Sequence, residues 1–349
     1  MTKLDNYLLL HSRGNIGDRV AFYACFDAIR RTKKCQMSIF PAKYELSPEV
    51  CNSKFDKIFI CGSPVFGNSE NQLHKFIATD EKYKIDIPII PFGVGTQSKF
   101  DEKGEVFDEK SVAFLKYIHS KIPYSSVRDN ETGRQLKNIG INNFRVTGPP
   151  SLFIMKNEVR IKCDRLTNVL VTTKYREGME KENARFLEMV KERFLNCNLY
   201  YSIHDIRNIT EKKHPIWKAE KMGYRLFNPN GVKWLYDFYS TMDIHVGFRL
   251  HAHTVFLSMG KPSFLISCDR RGSSFSETMN TAKTDMTLDN FHRLPEIVKN
   301  EFDNDFEGFR KFEQEYKVKN KELYEFLETY VGSSPFQYPF DGDFMADEL

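Results

Sequence analysis

Short apolar runs alternate with helical patterns along most of this chain, and this alternation is the feature that most restricts its fold. Six runs in the first half predict strands: Tyr7–His11, Met37–Phe40, Lys57–Cys61, Ile87–Val94, Tyr124–Val127 and Phe144–Val146. Helical patterns lie between them at Gly17–Arg31, Ser111–Ser120 and Asn130–Asn138. Strands that alternate with helices predict β-α units and a mostly parallel sheet.

The pattern restarts after a Pro- and Gly-containing break near residues 147–165. Five further strands are predicted at Val169–Thr173, Asn198–Ile203, Tyr224–Phe227, Ile244–Val246 and Ser263–Ile266. Helices are predicted at Glu180–Phe194, Val232–Tyr239, His251–Gly260, Leu288–Asn300 and Phe306–Tyr330. A chain of 349 residues suits two domains. We therefore predict an α/β fold with a Rossmann-like domain at 1–150 and a second at 151–349, the latter including a C-terminal helix and tail, with a cleft between them.

Composition excludes several classes of protein. The 51 basic residues are nearly balanced by 47 acidic ones, a net charge of +4, which is too mild for a typical nucleic-acid binder. Seven scattered cysteines without a C-x-x-C pair indicate reduced thiols of a cytosolic protein. No apolar stretch approaches the length of a membrane span, and the N-terminus has no signal-peptide pattern, so we expect a cytoplasmic protein.

In open parallel sheets, ligands bind beyond the carboxyl ends of the strands, so the residues that follow each strand are the candidates for a site. Asn15, Gly17 and Asp18 follow the first strand and could present backbone N–H groups to an anion; a capped strand-to-helix turn is the alternative. Gly62 and Ser63, and then Gly95, follow two later strands. Glycine allows close approach of a ligand or of a neighbouring strand, and either use fits here.

Arginines follow three of the predicted strands, and Arg249, which follows the strand Ile244–Val246, is described with its own segment below. Arg128 ends the fifth strand, where it is either a clamp for a carboxylate or phosphate or the partner of Asp129. Arg270 and Arg271 follow the strand at Ser263–Ile266 and would face the same crevice as Arg128, Arg249 and His251, in a cluster suited to a multiply charged anion. Solvated arginines of a surface loop are the alternative for them.

The segment Gly247-Phe248-Arg249-Leu250-His251-Ala252-His253 contains the densest set of candidates. Gly247 permits a sharp turn from strand to helix, so Arg249 and His251 would both lie at the mouth of the helix, at the positive end of its dipole. We interpret Arg249 and His251 as functional and His253 as structural. A metal site is rejected, because no third ligand stands at a familiar spacing and the charge of Arg249 would repel a cation.

The motifs together resemble the polysaccharide pyruvyl transferase family. The segments that carry the resemblance cover most of residues 10–275: GNIGD, FICGSPVFGN, PFGVGTQ, SSVRDNETGRQLKNIGINNFRVTGPPSLF and VGFRLHAHTVFLSMGKPSFLISCDRR. The resemblance implies a GT-B-type fold of two domains. It also implies transfer of the enolpyruvyl unit of phosphoenolpyruvate to a sugar, which forms a pyruvate ketal and releases phosphate.

Carried over residue by residue, the resemblance implies that His251 is the general acid and base, that Arg128 and Arg249 hold the anion, and that Arg271 is the basic group after the last strand. Phosphoenolpyruvate would be a co-substrate, with no other cofactor. A saccharide would accept the pyruvyl group, and a lipid-linked acceptor would bring the protein to the inner membrane face. The alternatives are a nucleotide-sugar glycosyltransferase of the same architecture and a non-catalytic binding protein.

Overall fold

A computed structural model of the chain describes residues 4–12, 15–41, 46–62, 64–67, 84–96, 107–156, 158–175, 177–204, 209–211 and 213–332. The described residues form two compact units. One unit contains residues 4–12, 18–154 and 318–332, and the other contains residues 15–17 and 155–317.

The first unit is built on parallel strands. Its strands are β1 (Asn6–His11), β2 (Gln36–Pro41), β3 (Lys57–Cys61), β4 (Ile89–Phe92), β5 (Ser125–Val127) and β6 (Phe144–Val146). Four of them pair in the order β2-β1-β3-β4, and β5 pairs with β6. A bridge from Val94 to Val127 places β5 beside the end of β4. The helices are α1 (Ile16–Thr32), α2 (Pro48–Lys54), α3 (Glu109–Ser120) and α4 (Asn130–Asn138).

The second unit contains a six-stranded parallel sheet in the order β12-β11-β10-β7-β8-β9. Its strands are β7 (Asn168–Thr172), β8 (Asn198–Ser202), β9 (Arg225–Phe227), β10 (Ile244–Gly247), β11 (Ser263–Ser267) and β12 (Met286–Thr287). Its helices are α5 (Glu180–Arg193), α6 (Pro215–Lys221), α7 (Val232–Ser240), α8 (Leu250–Ser258), α9 (Arg270–Thr278) and α10 (Leu294–Asp303). The central strands β7, β10 and β11 are almost entirely buried, which explains their continuous apolar sequence.

The last helix, α11 (Arg310–Tyr330), belongs to both units. The structure divides the chain after Ile154, close to the predicted boundary at 150, but residues from Val318 onward pack with the first unit. This differs from the prediction that the whole C-terminal helix lies in the second domain. The reason is aromatic packing: Phe326 lies 5.0 Å from Phe92, and Tyr330 lies 5.9 Å from Tyr124, between ring centroids.

Helix α9 corrects a second expectation. The alternative for Arg270 and Arg271 was a surface loop, but both residues begin a helix of nine residues. Asp269 starts this helix as its N-cap, with its side chain accepting a hydrogen bond from the backbone N–H of Arg271. The segment is rich in serine and weakly apolar, so its sequence pattern alone did not indicate a helix.

Candidate functional site

The junction between β10 and α8 has the sharp geometry that its glycine predicts. Gly247 has φ +154°, and a Cβ on it would lie 2.2 Å from the backbone oxygen of Thr172. Only glycine therefore lets β10 pass this close to the end of β7. Arg249 follows as the N-cap residue of α8, and His251 lies in the first turn of that helix. The chain thus delivers Arg249 and His251 to the carboxyl end of the central strand, as predicted.

Arg249 is fixed by the end of β7. Its Nε donates a hydrogen bond to the backbone oxygen of Thr173 at 2.8 Å, and its backbone N–H donates to Thr172 Oγ1 at 3.3 Å. The side chain is half-buried, so its guanidinium group keeps a fixed direction at the helix mouth.

The N-terminal glycine segment lies against His251. Residues 15–17 belong to the second unit, and a Cβ on Gly17 would lie 2.0 Å from His251 Nδ1. Asn15 Oδ1 accepts a hydrogen bond from the backbone N–H of Gly17 at 2.8 Å, which is the capped turn of the structural alternative. Asn15 thus shapes the turn, and Gly17 allows the backbone to approach the imidazole. That the backbone N–H groups here bind an anion stays a prediction. Asp18 lies in the first turn of α1 and is assigned to the first unit.

A lysine that sequence reasoning missed joins the arginine at the start of α9. Asp269 accepts hydrogen bonds from Lys174 Nζ at 2.5 Å and from Arg271 Nη2 at 2.6 Å. Burial opposes ionisation of Asp269, but the charges of Arg271 and Lys174 outweigh it and lower the pKa of the carboxyl group. The carboxylate thus holds two cations in place, and the three groups together keep a net positive charge. Arg270, the first residue of α9, is half-buried.

The charges of Lys174, Arg271 and Arg249 all act on one buried thiol, that of Cys268. Burial raises the pKa of Cys268, and the positive charges of Lys174, Arg271 and Arg249 all oppose that rise. Lys174, Arg249 and Arg271 follow the neighbouring strands β7, β10 and β11, so all three belong to the carboxyl end of the sheet. That Arg249 and Arg271 face the same anion stays a prediction. Lys174 directly follows the predicted strand Val169–Thr173, so reading the end of every strand for basic residues would have found it.

His204 is a second residue that sequence reasoning missed. It follows β8, its Nε2 lies 2.6 Å from Tyr239 Oη, and its Nδ1 has no hydrogen-bond partner among the described residues. Burial, followed by the charges of Arg249 and His251, lowers the pKa of His204 well below its usual value. The imidazole is therefore neutral and lies within electrostatic range of the predicted pair. His204 directly follows the predicted strand Asn198–Ile203, so an inspection of every strand end for titratable residues as well as basic ones finds it.

Arg128 in the first unit makes the structural interaction that was left open as its alternative. Its Nε donates to Asp129 Oδ2 at 2.9 Å and its Nη2 donates to the backbone oxygen of Thr96 at 2.8 Å. Asp129 in turn caps α4 by accepting from the backbone N–H of Thr132. A Cβ on Gly95 would lie 2.2 Å from Arg128 Nε, so glycine is needed here for the buried guanidinium. Within the described residues, Nη1 of Arg128 makes no hydrogen bond.

Gly62 has a packing explanation. It has φ +60°, and a Cβ on it would lie 2.8 Å from Ala21 Cβ of α1. A larger residue would push this helix from the sheet, so the glycine is accounted for without a ligand. Ser63, its predicted companion, lies outside the described residues.

The family follows from a comparison of the sequence with family models. The model described as polysaccharide pyruvyl transferase matches residues 15–270, which is well over half of the chain. The chain belongs to the polysaccharide pyruvyl transferase family. This match confirms the resemblance on which the sequence analysis depended, and it identifies the protein as a transferase of polysaccharide metabolism. No curated protein matches the sequence.

Solved structures of other proteins share the fold. The S. aureus MnaA–UDP complex has a TM-score of 0.60 at 13% identity, covering 97% of this chain and 100% of that one. The Neisseria meningitidis UDP-GlcNAc 2-epimerase bound to UDP-GlcNAc has a TM-score of 0.55 at 10% identity, covering 92% and 99%. Anabaena Alr3699/HepE with UDP and glucose has a TM-score of 0.51 at 9% identity, covering 93% and 99%. At these identities the likeness concerns the fold, and it confirms the predicted α/β fold of the GT-B type.

None of the helices in the described part of this chain is both long enough and apolar enough to cross a bilayer. The roles of His251, Arg249, Arg271, Arg270 and Arg128 stay predictions at this point, as does the predicted cleft between the two halves.

Proposed function

We propose that the protein transfers the enolpyruvyl group of phosphoenolpyruvate to a sugar of a glycan or of its lipid-linked precursor. The product would be a pyruvate ketal, and phosphate would be released. The observation that carries this proposal is the elbow at Gly247, which holds an arginine and a histidine together at the carboxyl end of β10 in a member of this family. The proposal places the reaction in the cytoplasm, where a lipid-linked acceptor would be met at the inner membrane face.

Charge at this end of the sheet suits the donor. Phosphoenolpyruvate presents a carboxylate and a phosphate, and Arg249, Arg271 and Lys174 supply three positive charges against the one negative charge of Asp269. Arginine forks bind such groups through paired hydrogen bonds, which gives orientation as well as affinity. The first turn of α8 adds the positive end of a helix dipole. Arg128 belongs to the first unit, and its contact with the same anion stays a prediction.

The proposed reaction begins with His251. A protonated imidazole gives its proton to the methylene carbon of phosphoenolpyruvate, and positive charge develops at C2. A hydroxyl of the sugar forms a bond to C2 and loses its proton to the imidazole. The bond from C2 to the phosphate oxygen breaks, phosphate leaves, and a second hydroxyl closes the ketal as its proton departs with the phosphate. Histidine suits both transfers because it exchanges protons near neutral pH.

Replacement of His251 tests the proposal. His251→Ala is expected to lower kcat on the order of 10²–10⁴-fold, because the general acid is lost. The measurement is phosphate release from phosphoenolpyruvate with a panel of sugar acceptors, and NMR of the product identifies the ketal. His292→Ala is the matched control, since His292 is an exposed histidine of the same unit. Turnover of His251→Ala equal to that of the control would remove His251 from the mechanism.

Ligand binding separates the proposal from its alternative. Phosphoenolpyruvate should raise the melting temperature of the wild-type protein, and Arg249→Met should abolish that shift. A nucleotide-sugar glycosyltransferase would instead respond to nucleotide sugars, and a non-catalytic protein would release no phosphate with any acceptor. A shift with nucleotide sugars and none with phosphoenolpyruvate would overturn the proposal.

A further inference from the structure

His204 has one ring nitrogen without a partner in the interior of the second unit. The residue follows β8 and is 5% exposed. Its Nε2 lies 2.6 Å from Tyr239 Oη, whereas its Nδ1 is buried and makes no hydrogen bond in the described part of the chain. A buried polar atom without a partner costs stability, and nearly all such atoms are paired in folded proteins. The packing of this unit therefore does not account for the second nitrogen.

Two hydroxyl groups decide where the proton of this ring lies. Ser202 Oγ is buried and lies 2.9 Å from Tyr239 Oη, which is its hydrogen-bond partner among the described residues. Ser202 therefore donates to Tyr239, and Tyr239 donates its own hydrogen to Nε2 of His204. The reverse order would leave the hydrogen of Ser202 buried without an acceptor. Because Nε2 accepts, the proton of the neutral ring lies on Nδ1, and the unpaired atom is a hydrogen-bond donor.

The register of the sheet places His204 in a row with two cations of the candidate site. Val171 of β7 pairs with Tyr201 of β8 and with Val246 of β10. Three residues further along these neighbouring strands, the chain reaches the members of the row: Lys174, His204 and Arg249. Neighbouring strands lie about 4.8 Å apart, so the three residues leave the sheet side by side, with the lysine in the middle.

Hydrogen bonds hold these strand ends together beyond the paired residues. The backbone oxygen of Thr173 accepts from Arg249 Nε at 2.8 Å, and Thr173 Oγ1 lies 2.5 Å from Tyr201 Oη. One residue thus joins the end of β7 to the elbow after β10 and to β8. On the other side of β8, the backbone N–H of Ile203 donates to the oxygen of Phe227 at 2.8 Å. The row is therefore fixed by contacts as well as by register.

The row combines two positive charges with one neutral donor. Burial and nearby charges lower the pKa of His204 well below its usual value, so its ring adds no third charge. A ligand oxygen that meets Lys174 and Arg249 is best anionic, because an anionic oxygen accepts strong hydrogen bonds from both. The Nδ1–H of His204 can give the same anion one more hydrogen bond. Shielding from water makes such a bond stronger than one at the surface.

We propose that His204 is a substrate-binding residue of this site and that its Nδ1–H donates a hydrogen bond to an anionic oxygen of the donor substrate. The oxygen belongs to a carboxylate or a phosphate, the two anionic groups of phosphoenolpyruvate. The position and the proton of His204 follow from the structure alone, whereas the identity of the anion rests on the proposed function.

Nitrogen NMR of the full-length protein tests the proton and the contact. The ring of His204, assigned by loss of its signals in His204→Gln, should carry its proton on Nδ1. Phosphoenolpyruvate should shift the Nδ1–H signal and slow its exchange with water. Inorganic phosphate and pyruvate, added separately, tell the two anionic groups apart, because the one that His204 contacts reproduces the shift. A proton on Nε2, or a signal that none of the three ligands moves, would overturn the proposal.

Two substitutions of His204 separate its nitrogens. The amide of glutamine reaches the position of Nε2, so His204→Gln keeps the contact with Tyr239 and loses the free donor. The amide of asparagine reaches the position of Nδ1, so His204→Asn keeps a donor there and loses the contact with Tyr239. We expect His204→Gln to raise the Kd of phosphoenolpyruvate roughly tenfold, as for the loss of one hydrogen bond to a charged group, and His204→Asn to raise it less.

Calorimetry with each variant measures these dissociation constants, and His292→Gln, a change at an exposed histidine of the same unit, is the control. A Kd for His204→Gln equal to that of the control would exclude the hydrogen bond, even if His204→Asn does not fold. Failure of the proposed function has a different signature. A wild-type protein that transfers no pyruvyl group, but whose Nδ1–H signal still responds to inorganic phosphate, would contradict the proposed reaction and support the role of His204 in binding an anion.

Discussion

Gly17 is important because it has no side chain. Its backbone lies so close to His251 that a single added methyl group would overlap the imidazole at Nδ1. The residue type is thus set by the neighbour rather than by the turn, since Asn15 already satisfies the turn.

Gly17→Ala should therefore lower turnover through His251. The added Cβ would lie 2.0 Å from Nδ1, so the imidazole must rotate or α1 must shift. We expect kcat to fall on the order of tenfold or more, because a displacement of about 1 Å in a reacting group costs up to about 10²-fold. A double-mutant cycle with His251→Ala is the check: Gly17→Ala should add little once the imidazole is gone. Equal losses in both backgrounds would contradict this explanation.

Asp129 both caps the start of α4 and holds the guanidinium group of Arg128. One oxygen of Asp129 caps α4 and the other accepts from Arg128 Nε, so the helix start and the guanidinium share a single carboxylate. Neighbouring elements of the first unit therefore position each other through side chains at the strand ends.

Two substitutions of Asp129 separate these contributions. Asp129→Ala loses the cap, at about 1 kcal/mol, and also leaves a buried arginine without its charge partner, so the loss in unfolding free energy should exceed the cap alone. Asp129→Asn keeps a capping oxygen and removes the charge, so its loss should be smaller. Urea midpoints of the two variants measure this order. If Asp129→Asn is as unstable as Asp129→Ala, the whole loss in unfolding free energy comes from the lost charge beside Arg128, and the cap contributes nothing.

The elements that could be predicted from the sequence are those that a short apolar pattern or a single glycine reveals. The buried central strands and the Gly247 elbow follow from composition and spacing, and so the positions of Arg249 and His251 could be predicted. Helix α9 could not be, because its weakly apolar sequence forms a helix through the Asp269 cap and contacts from elsewhere in the chain. Lys174 and His204 were missed although each follows a strand. The buried hydrogen bonds of His245 to Thr172 and Ser263 join side chains 73 and 18 residues apart, which no local pattern connects.

Among the described residues, the buried histidines whose pKa is lowered outnumber the buried acids whose pKa is raised, which are Asp285 and Glu301. Burial lowers the pKa of His119 to about 4 and of His245 to about 3, and it lowers those of His204 and His253 strongly as well. Each ring stays neutral in the folded protein at a pH where the unfolded chain would protonate it. Asp285 has the opposite effect, because its raised pKa makes the folded protein hold a proton between about pH 4 and 7.

Stability should therefore fall as the pH is lowered from 6.5 toward 4. The unfolded chain gains protons on four histidines while the folded protein gains one on Asp285, so the net difference approaches about three protons. Near pH 5 this corresponds to a slope of up to about 4 kcal/mol per pH unit from these groups. Urea midpoints between pH 7.5 and 5 measure the slope. His119→Gln should reduce it and the exposed His292→Gln should not; a midpoint that rises on acidification would show that the sign is wrong.

Helix α11 makes the first unit discontinuous in the chain, because residues 155–317 of the second unit stand between Ile154 and the part of α11 that packs with the first unit. The ring of Phe92 and the side chain of Lys57 receive their partners, Phe326 and the backbone oxygen of Tyr330, from residues more than two hundred positions later. Domains emerging from the ribosome generally fold in the order of synthesis, and distant contacts form slowly. The part of the chain that is translated first therefore lacks Phe326 and Tyr330 until its last helix has been synthesised, so its core is completed only after residues 155–317 of the second unit have been translated.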